Sequence, residues 1–231
     1  MNKNKPPLIS VIIPTYNESA TITGTLEHLR PWRDVLEIIV VDGGSSDGTT
    51  GLVVSEAWLA SAPRGRASQM NTGAQLATGE TLLFLHSDTR LPQDFLQQLA
   101  LALSDRGVAG GAFKIKIGHP GLFFYLTSLG SNLRAALTGI YFGDQAIFVR
   151  RDIFQHIGGF PLIELMEDWE FSLSLRRVGK TKLLPGPVTT SARRWLIHGK
   201  WRTTWLMHKI KTLYLLGASP EDLKKLYSDR R

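Results

Sequence analysis

The chain has no cysteine. That excludes disulfides, thiolate zinc sites and cysteine nucleophiles, and it is compatible with a reducing compartment. Long apolar runs are also missing. After a polar, proline-broken start, the run Ile9 to Ile13 stops at Pro14, too short for a signal peptide or a membrane span. A second apolar and aromatic stretch, Leu122 to Ile140, is interrupted by Ser131, Asn132 and Arg134. It reads as a helical flap or substrate-facing segment, not a span. The expected protein is soluble or peripheral, placed in the cytoplasm or at the inner face of the membrane. No internal repeat, low-complexity tract or linker to a second independent domain is visible.

Acidic residues are scarce toward the end of the chain. The whole chain carries 27 Lys+Arg against 20 Asp+Glu, a net charge of +7. From Arg176 onward there are 14 basic and 3 acidic residues. Such a basic quarter points to an anionic partner, whether a nucleotide diphosphate, an acidic membrane surface or nucleic acid, or else to a solvated face. No zinc, helix-turn-helix or ribonucleoprotein motif supports specific nucleic-acid binding. With 231 residues, 43% hydrophobic and 20% charged, the chain suits one large α/β domain with a sizeable core.

What is present centres on Leu82-Leu83-Phe84-Leu85-His86-Ser87-Asp88-Thr89. A short continuous apolar run is the pattern of a strand buried on both faces of a parallel sheet. A carboxylate at its carboxyl end lies where open α/β sheets bind ligands. Asp88 can hold a hard divalent cation against a diphosphate, or cap a helix starting near Pro92. Two earlier runs repeat the pattern. Ile9 to Ile13 ends in Pro14-Thr15-Tyr16-Asn17-Glu18, and Glu37 to Val41 ends in Asp42-Gly43-Gly44-Ser45-Ser46-Asp47-Gly48-Thr49. Between them, Asn17 or Ser19 is placed to cap a helix running to about Arg30. Strand, helix, strand is a βαβ unit with a right-handed crossover.

Further along, a helix is expected near Thr50 to Ala60. Arg64-Gly65-Arg66 can present guanidinium groups to phosphate. Ser68 to Ala77 and Leu91 to Leu103 have helical spacing, and Val108 to Ile117 alternates like a strand of a mixed sheet. Gly143-Asp144-Gln145 leads into another strand. Ile163 to Val178 reads as a helix with Phe171, Leu175 and Val178 inward. Glu167 and Asp168 in its first turn either complement the helix dipole or supply a general base. Trp201 to Leu216 sets Leu206, Ile210 and Leu213 along one side. That stripe is expected to pack on the parent domain or on a second subunit, as in a homodimer. A basic helix with tryptophans also suits peripheral membrane contact. Ser219-Pro220-Glu221-Asp222 is a helix start.

Taken together and in order, these motifs resemble the inverting nucleotide-sugar glycosyltransferases of family 2, with the GT-A fold. The match covers Ser10 to about Trp195. Within the family, His86-Ser87-Asp88-Thr89, Gly143-Asp144-Gln145 and Arg193-Arg194-Trp195 resemble a small subgroup of stand-alone bacterial transferases associated with radical-enzyme gene neighbourhoods. The resemblance implies a GT-A domain over 1–195 and a helical extension over 196–231. It implies that Pro14, Tyr16 and Glu18 line the nucleotide pocket and that Asp42 accepts from the base, uracil. Arg66 would approach the pyrophosphate. Asp88 would match the last Asp of the family's Asp-x-Asp and hold Mn²⁺ or Mg²⁺. Asp168 would be the catalytic base, with Asp144, Gln145, Glu167, Arg194 and Trp195 near the sugar or acceptor.

Two departures from the family pattern matter. His86 stands where the first Asp of the metal motif belongs, and imidazole suits Mn²⁺ better than Mg²⁺. The Gln-x-x-Arg-Trp of processive synthases is present only as Ser191-Ala192-Arg193-Arg194-Trp195. The resemblance therefore implies a single transfer from a nucleotide-diphosphate sugar to a small or lipid-like acceptor. A nucleotidyltransferase, the enzyme alternative, would carry a Gly-rich basic signature after the first strand, where this chain has Pro14-Thr15-Tyr16-Asn17-Glu18. A non-enzymatic anionic-ligand or nucleic-acid binder is the other alternative.

Overall fold

The computed structural model describes residues 9–228; the polar start of the chain lies outside them. Strand β1 (Ile9–Thr15) is followed by helix α1 (Ile22–Leu29), β2 (Leu36–Asp42) and β3 (Trp58–Ser61). Helix α2 (Arg66–Leu76), β4 (Thr81–Phe84), β5 (Thr89–Arg90), α3 (Phe95–Leu103) and β6 (Val108–Ile117) come next. Then follow α4 (Leu122–Thr138), β7 (Ile147–Arg150), α5 (Arg151–His156), α6 (Glu167–Val178) and β8 (Lys180–Thr190). Helices α7 (Arg193–His198), α8 (Lys200–Leu215) and α9 (Pro220–Ser228) complete the described residues.

The strands form one sheet in the order β3-β2-β1-β4-β7-β6-β8-β5. The pairs β1 with β2, β1 with β4, β2 with β3 and β6 with β8 are parallel; the others are antiparallel. Strand order reverses beside β1, which is where an open α/β sheet leaves a crevice at its carboxyl end. The register sets Thr15 beside Asp42 and Ile12 beside Phe84. The loops after β1, β2 and β4 therefore leave the sheet side by side.

Apolar residues cover both faces of the sheet. On one face Val11, Ile13, Leu26, Leu29, Phe95 and Leu99 pack together. On the other, Ile12, Met70, Ala74, Phe84, Phe154 and Phe171 do. Helix α2 sits unusually close, because a Cβ at Gly73 would meet Ile12 Cγ2 at 2.4 Å. The Phe160 and Phe171 rings stack at 4.1 Å between centroids, a contact worth about 0.5–1.5 kcal/mol beyond the area it buries. Beyond β7 the edge of β6 is closed by side chains of α4. Asn132 pairs with both the N–H and the C=O of Ile115, and Ser128 Oγ accepts from Ile117 N.

Three expectations are corrected. Residues 50–60 are not a helix: a 3-10 turn, Thr49–Leu52, leads into β3. Gly48 and Gly51 disfavour a helix there, and Trp58 to Ser61 pair with Ile39 to Asp42. Neither Asn17 nor Ser19 caps α1, which starts after Thr21. Both are spent on the neighbouring loop: Asn17 Oδ1 accepts from Ser46 N at 2.9 Å, and Ser19 N donates to Asp47 at 3.0 Å. Val178 is solvent-exposed, while Phe171 and Leu175 are buried as their spacing predicts.

The C-terminal helices lie on the same chain. Leu206 and Ile210 of α8 pack with Met166 and Leu223, flanked by Phe142, Trp169 and Leu213. Tyr214 Oη donates to Glu170 at 2.6 Å. Ser219 Oγ accepts from Asp222 N at 3.2 Å at the start of α9. No helix among the described residues is long and apolar enough to cross a membrane.

Candidate active site

At the ends of β1 and β2 the backbone is tied by side chains. Gln69 of α2 is buried, and its amide donates to Thr15 O at 2.6 Å and Val41 O at 2.8 Å. Asp42 Oδ2 accepts from the N–H groups of Gly44 and Ser45, each at 2.8 Å, and Oδ1 accepts from Ser45 Oγ at 2.5 Å. Gly44, at φ 89°, permits that turn. Pro14, Tyr16 and Glu18 line the next loop, each half-buried. The Arg64 guanidinium lies over the Tyr16 ring at 4.0 Å, a cation–π contact.

Asp88 stands in the turn between β4 and β5, held by Thr25 Oγ1 donating to Ser87 O at 2.6 Å. Burial, reinforced by Glu18, pushes its carboxyl up, while Arg193 and Arg194 oppose that. Arg193 Nη2 is 3.2 Å from Glu18 Oε2. Helix α7 thus delivers two guanidinium groups to the β1 and β4 loops. The charge of Asp88 is met by a Thr89 hydroxyl at 3.4 Å, so its lone pairs are largely open. Among the described residues no three His, Cys, Asp or Glu side chains converge to hold a metal. The donor set fits a cation shared with a ligand: one carboxylate from the protein, the rest from phosphate oxygens and water, as Mg²⁺ and Mn²⁺ commonly sit with phosphates.

The neighbouring cluster comes from α6, α2 and the turn before β7. Asp168 Oδ2 accepts from Gly143 N at 2.8 Å, and its Oδ1 is buried with no hydrogen-bond partner. Burial, then the adjacent Glu167 carboxylate, push Asp168 up to about 8. Glu167 pairs with Arg66 at 3.6 Å. Burial opposes charge on Arg66, but Glu167, Tyr227 and Asp168 outweigh it and raise its pKa. Burial, followed by Arg66 and Arg194, lowers His86 to about 3, so its imidazole stays neutral. Its Nε2 is also buried and unpartnered, as is Asp144 Oδ1. Burial raises Asp144 against the pull of Arg134 and Arg194.

Asp88, His86, Asp144, Glu167, Asp168, Arg66 and Arg194 are therefore brought into one electrostatic neighbourhood. Gln145 and Trp195 are committed elsewhere. Gln145 is fully buried; its Oε1 accepts from Arg134 at 3.0 Å and its amide donates to Phe113 O at 3.3 Å. Trp195 packs with Ile117 and Phe124 and donates to Thr204 Oγ1 at 3.0 Å. Sequence reading also missed two positioning residues. Gln69 braces the β1 and β2 ends. Asn71 pairs with both backbone groups of Phe160, at 2.8 and 2.9 Å, fixing the segment that enters α6. The one available signal was polar side chains on the sheet-facing side of α2. Asn17, Ala146 and Met166, the non-glycine residues at positive φ among the described residues, adjoin site residues, and strain of this kind clusters at functional sites.

A family model, Glycosyl transferase family 2, matches residues 10–158, well over half of the chain. A PGL/p-HBAD biosynthesis glycosyltransferase of Mycobacterium bovis (strain BCG / Pasteur 1173P2) is 30% identical over 178 residues, covering 72% of this chain and 69% of that protein. A probable glycosyltransferase of Bacillus subtilis (strain 168), YdaM, is 26% identical, covering 88% of this chain and 56% of that one. Among solved structures, the mannosyltransferase PcManGT from Pyrobaculum calidifontis, in complex with GDP-Man and Mn²⁺, superposes with a TM-score of 0.64 at 24% identity. It covers 98% of this chain and 70% of its own. S. aureus TarS 1-349 in complex with UDP-GlcNAc gives 0.63 at 22% identity, over 80% and 58% of the two chains. At such identities the structures establish the fold, and the family match carries the activity. The chain belongs to glycosyl transferase family 2 and is a glycosyltransferase of GT-A fold.

Proposed function

We propose that this enzyme moves one sugar from a UDP-linked donor to an acceptor hydroxyl with inversion at the anomeric carbon. The observation that carries the reading is Asp168: one carboxylate oxygen fixed by Gly143 N, the other buried without a partner. In this reading Oδ1 takes the acceptor proton as the acceptor oxygen bonds to the anomeric carbon. The bond from that carbon to the diphosphate oxygen breaks on the opposite side. A single base facing the leaving group gives inversion, through an oxocarbenium-like transition state. A base pushed toward neutrality matches its task, because general-base catalysis is most effective with a pKa near the working pH.

The leaving diphosphate needs positive charge around it. Arg193 and Arg194, presented by α7, supply part, and Arg66 stands on the far side beside Glu167. Asp88 would hold a divalent cation, Mn²⁺ or Mg²⁺, which when bound neutralises charge developing on the diphosphate. Mn²⁺ in the Pyrobaculum mannosyltransferase complex supports the use of a divalent metal. Asp42 would read the base, since its Oδ1, met by the Ser45 hydroxyl, keeps lone-pair capacity for a ring N–H. Asp144 and Glu167 would face the sugar or acceptor. Gln145 and Trp195 have no ligand role in this reading. The transferase domain is assigned to 1–195 and the extension to 196–231; within the extension Leu206, Ile210 and Leu223 buttress Met166 beside the base. The acceptor is small or lipid-like.

A carboxylate accepts equally well from guanine, so GDP is the specific rival. Thermal shift with UDP and GDP, each with and without Mn²⁺, separates the two. A ligand at a hundred times its dissociation constant stabilises by roughly 2.7 kcal/mol. A larger shift with UDP that grows with Mn²⁺ is expected. A larger shift with GDP would overturn the uracil assignment, and no shift with any diphosphate would overturn the donor site.

A further inference from the structure

Five leucines of α4, Leu122, Leu126, Leu129, Leu133 and Leu137, are between 51% and 77% exposed. Their spacing of four, three, four and four residues puts them on one stripe of the helix. The opposite side, Phe124, Ser128 and Ala135, is buried. The stripe runs on to the C-terminal helices. Phe123 and Trp201 meet edge to face at 5.1 Å, and Trp201 is 79% exposed. Leu196, Ile197 and Trp205 also stand exposed on α7 and α8. A contiguous apolar surface of this extent marks an interaction site.

Charge decides what it meets. Residues 106–143 and 171–220 contain no Asp or Glu, although they supply β6, α4, β8, α7 and α8. Lys114, Lys116, Lys200 and Arg202 are exposed among them. Lys200 Nζ lies over the Phe124 ring at 5.2 Å and Lys209 Nζ over Trp205 at 5.0 Å, so cations flank the apolar face at its α8 side. A two-fold pairing of this face with a second copy would set like charges against each other, because the segments that build it carry no carboxylate of their own. An anionic lipid surface answers both properties at once.

We propose that α4, together with Trp201 and its basic neighbours, docks this glycosyltransferase on the surface of an anionic bilayer. The leucines and Trp201 enter the boundary between headgroups and acyl chains, with α4 lying in the membrane plane, and Lys200 and Arg202 meet anionic headgroups. On its inner side the same helix donates from Arg134 to Gln145, next to Asp144, so docking brings the bilayer alongside the candidate site. Docking does not depend on which donor or acceptor the site takes.

The test is flotation of the full chain with vesicles of phosphatidylcholine alone or with about 30 mol% phosphatidylglycerol. Wild type should float with the anionic vesicles, fail to float with the neutral ones, and be released by high salt. L126E/L133E and K200E/R202E, all at exposed positions, should each lower the bound fraction at least about tenfold while keeping the wild-type circular-dichroism melt. Wild type that stays unbound with anionic vesicles would overturn the proposal, as would variants that fold and float like wild type. So would a wild-type dimer, seen by light scattering, that L126E/L133E converts to a monomer, because the face would then belong to a second copy.

Discussion

Gly143 and Asp168 are locked together: the glycine N–H donates to Asp168 Oδ2 at 2.8 Å. The missing side chain matters as much as the bond. A Cβ at Gly143 would stand 2.3 Å from His86 Nε2 and 3.2 Å from Asp168 Oδ2. The turn before β7, the metal-motif histidine and the proposed base therefore share one close contact. Gly143→Ala should displace the imidazole, the carboxylate or both. Transfer should fall at least about tenfold, because an ångström of misplacement at a reacting group costs orders of magnitude. Diphosphate affinity, measured by calorimetry, should change far less. Unchanged turnover would mean that the cluster tolerates the shift and that its geometry is not what catalysis uses.

Much of the fold was legible because it rests on periodicity. The runs at β1, β2 and β4 are continuous and apolar because both faces of those strands are covered; Asp42 closes β2, and Asp88 stands in the turn after β4. Residues 50–60 misled because an edge strand, half exposed, has little periodic signal, and β3 is defined by its pairing with β2. The bonding roles of Gly143, Gln69 and Asn71 were illegible for a different reason. Each acts on partners 25 or more residues away, through backbone groups that carry no side-chain identity. Gln145 and Trp195 stood out as motif letters, yet their polar atoms bind protein, which depends on burial that motif spacing does not encode.

Asp42 should discriminate the nucleobase. Its Oδ2 already accepts two backbone N–H groups, so the loop after β2 depends on it as well. Asp42→Ala should weaken UDP binding by about tenfold or more, the scale of one charge-assisted hydrogen bond, while inorganic pyrophosphate binding changes little. Equal losses for both ligands would show that Asp42 acts through the loop or the phosphates. Asp42→Asn adds a check, since it keeps the shape and removes the charge.

Asp88 should carry the metal-dependent part of donor affinity. Burial and Glu18 disfavour its charge, and a bound cation would reverse that penalty. Asp88→Asn should keep the fold and the metal-free affinity for UDP but abolish the gain produced by Mn²⁺. The comparison with Mg²⁺ tests His86, whose neutral imidazole favours Mn²⁺ if it joins the coordination. The assignment is falsified if titration calorimetry gives the variant the wild-type metal-dependent gain.

Asp168 has the most at stake. Its carboxyl is pushed up to about 8, by burial first and Glu167 second. If it must be ionised to accept a proton, kcat should rise with pH toward a limb near that value. Asp168→Asn should remove the limb and lower transfer by roughly 10²–10⁴-fold, leaving donor and metal affinity nearly intact. Glu170→Gln should matter much less, because that carboxylate is engaged by Tyr214 Oη at 2.6 Å. Stability supplies an independent sign. A raised folded pKa means that the folded state binds more protons than the unfolded chain between the ordinary carboxylate value and about 8. Wild-type stability contributed by this group therefore falls as pH rises through that window. Asparagine has no charge to bury, so the melting temperature of Asp168→Asn relative to wild type should increase from acid to alkaline pH. With the acceptor unidentified, hydrolysis of a UDP-sugar by water can stand in for transfer. A variant that lost activity only because diphosphate no longer bound would make Asp168 a binding residue. A variant with wild-type turnover on a true acceptor would end the proposed mechanism, and Asp144, buried with an unpartnered oxygen in the same cluster, would be the next base to test.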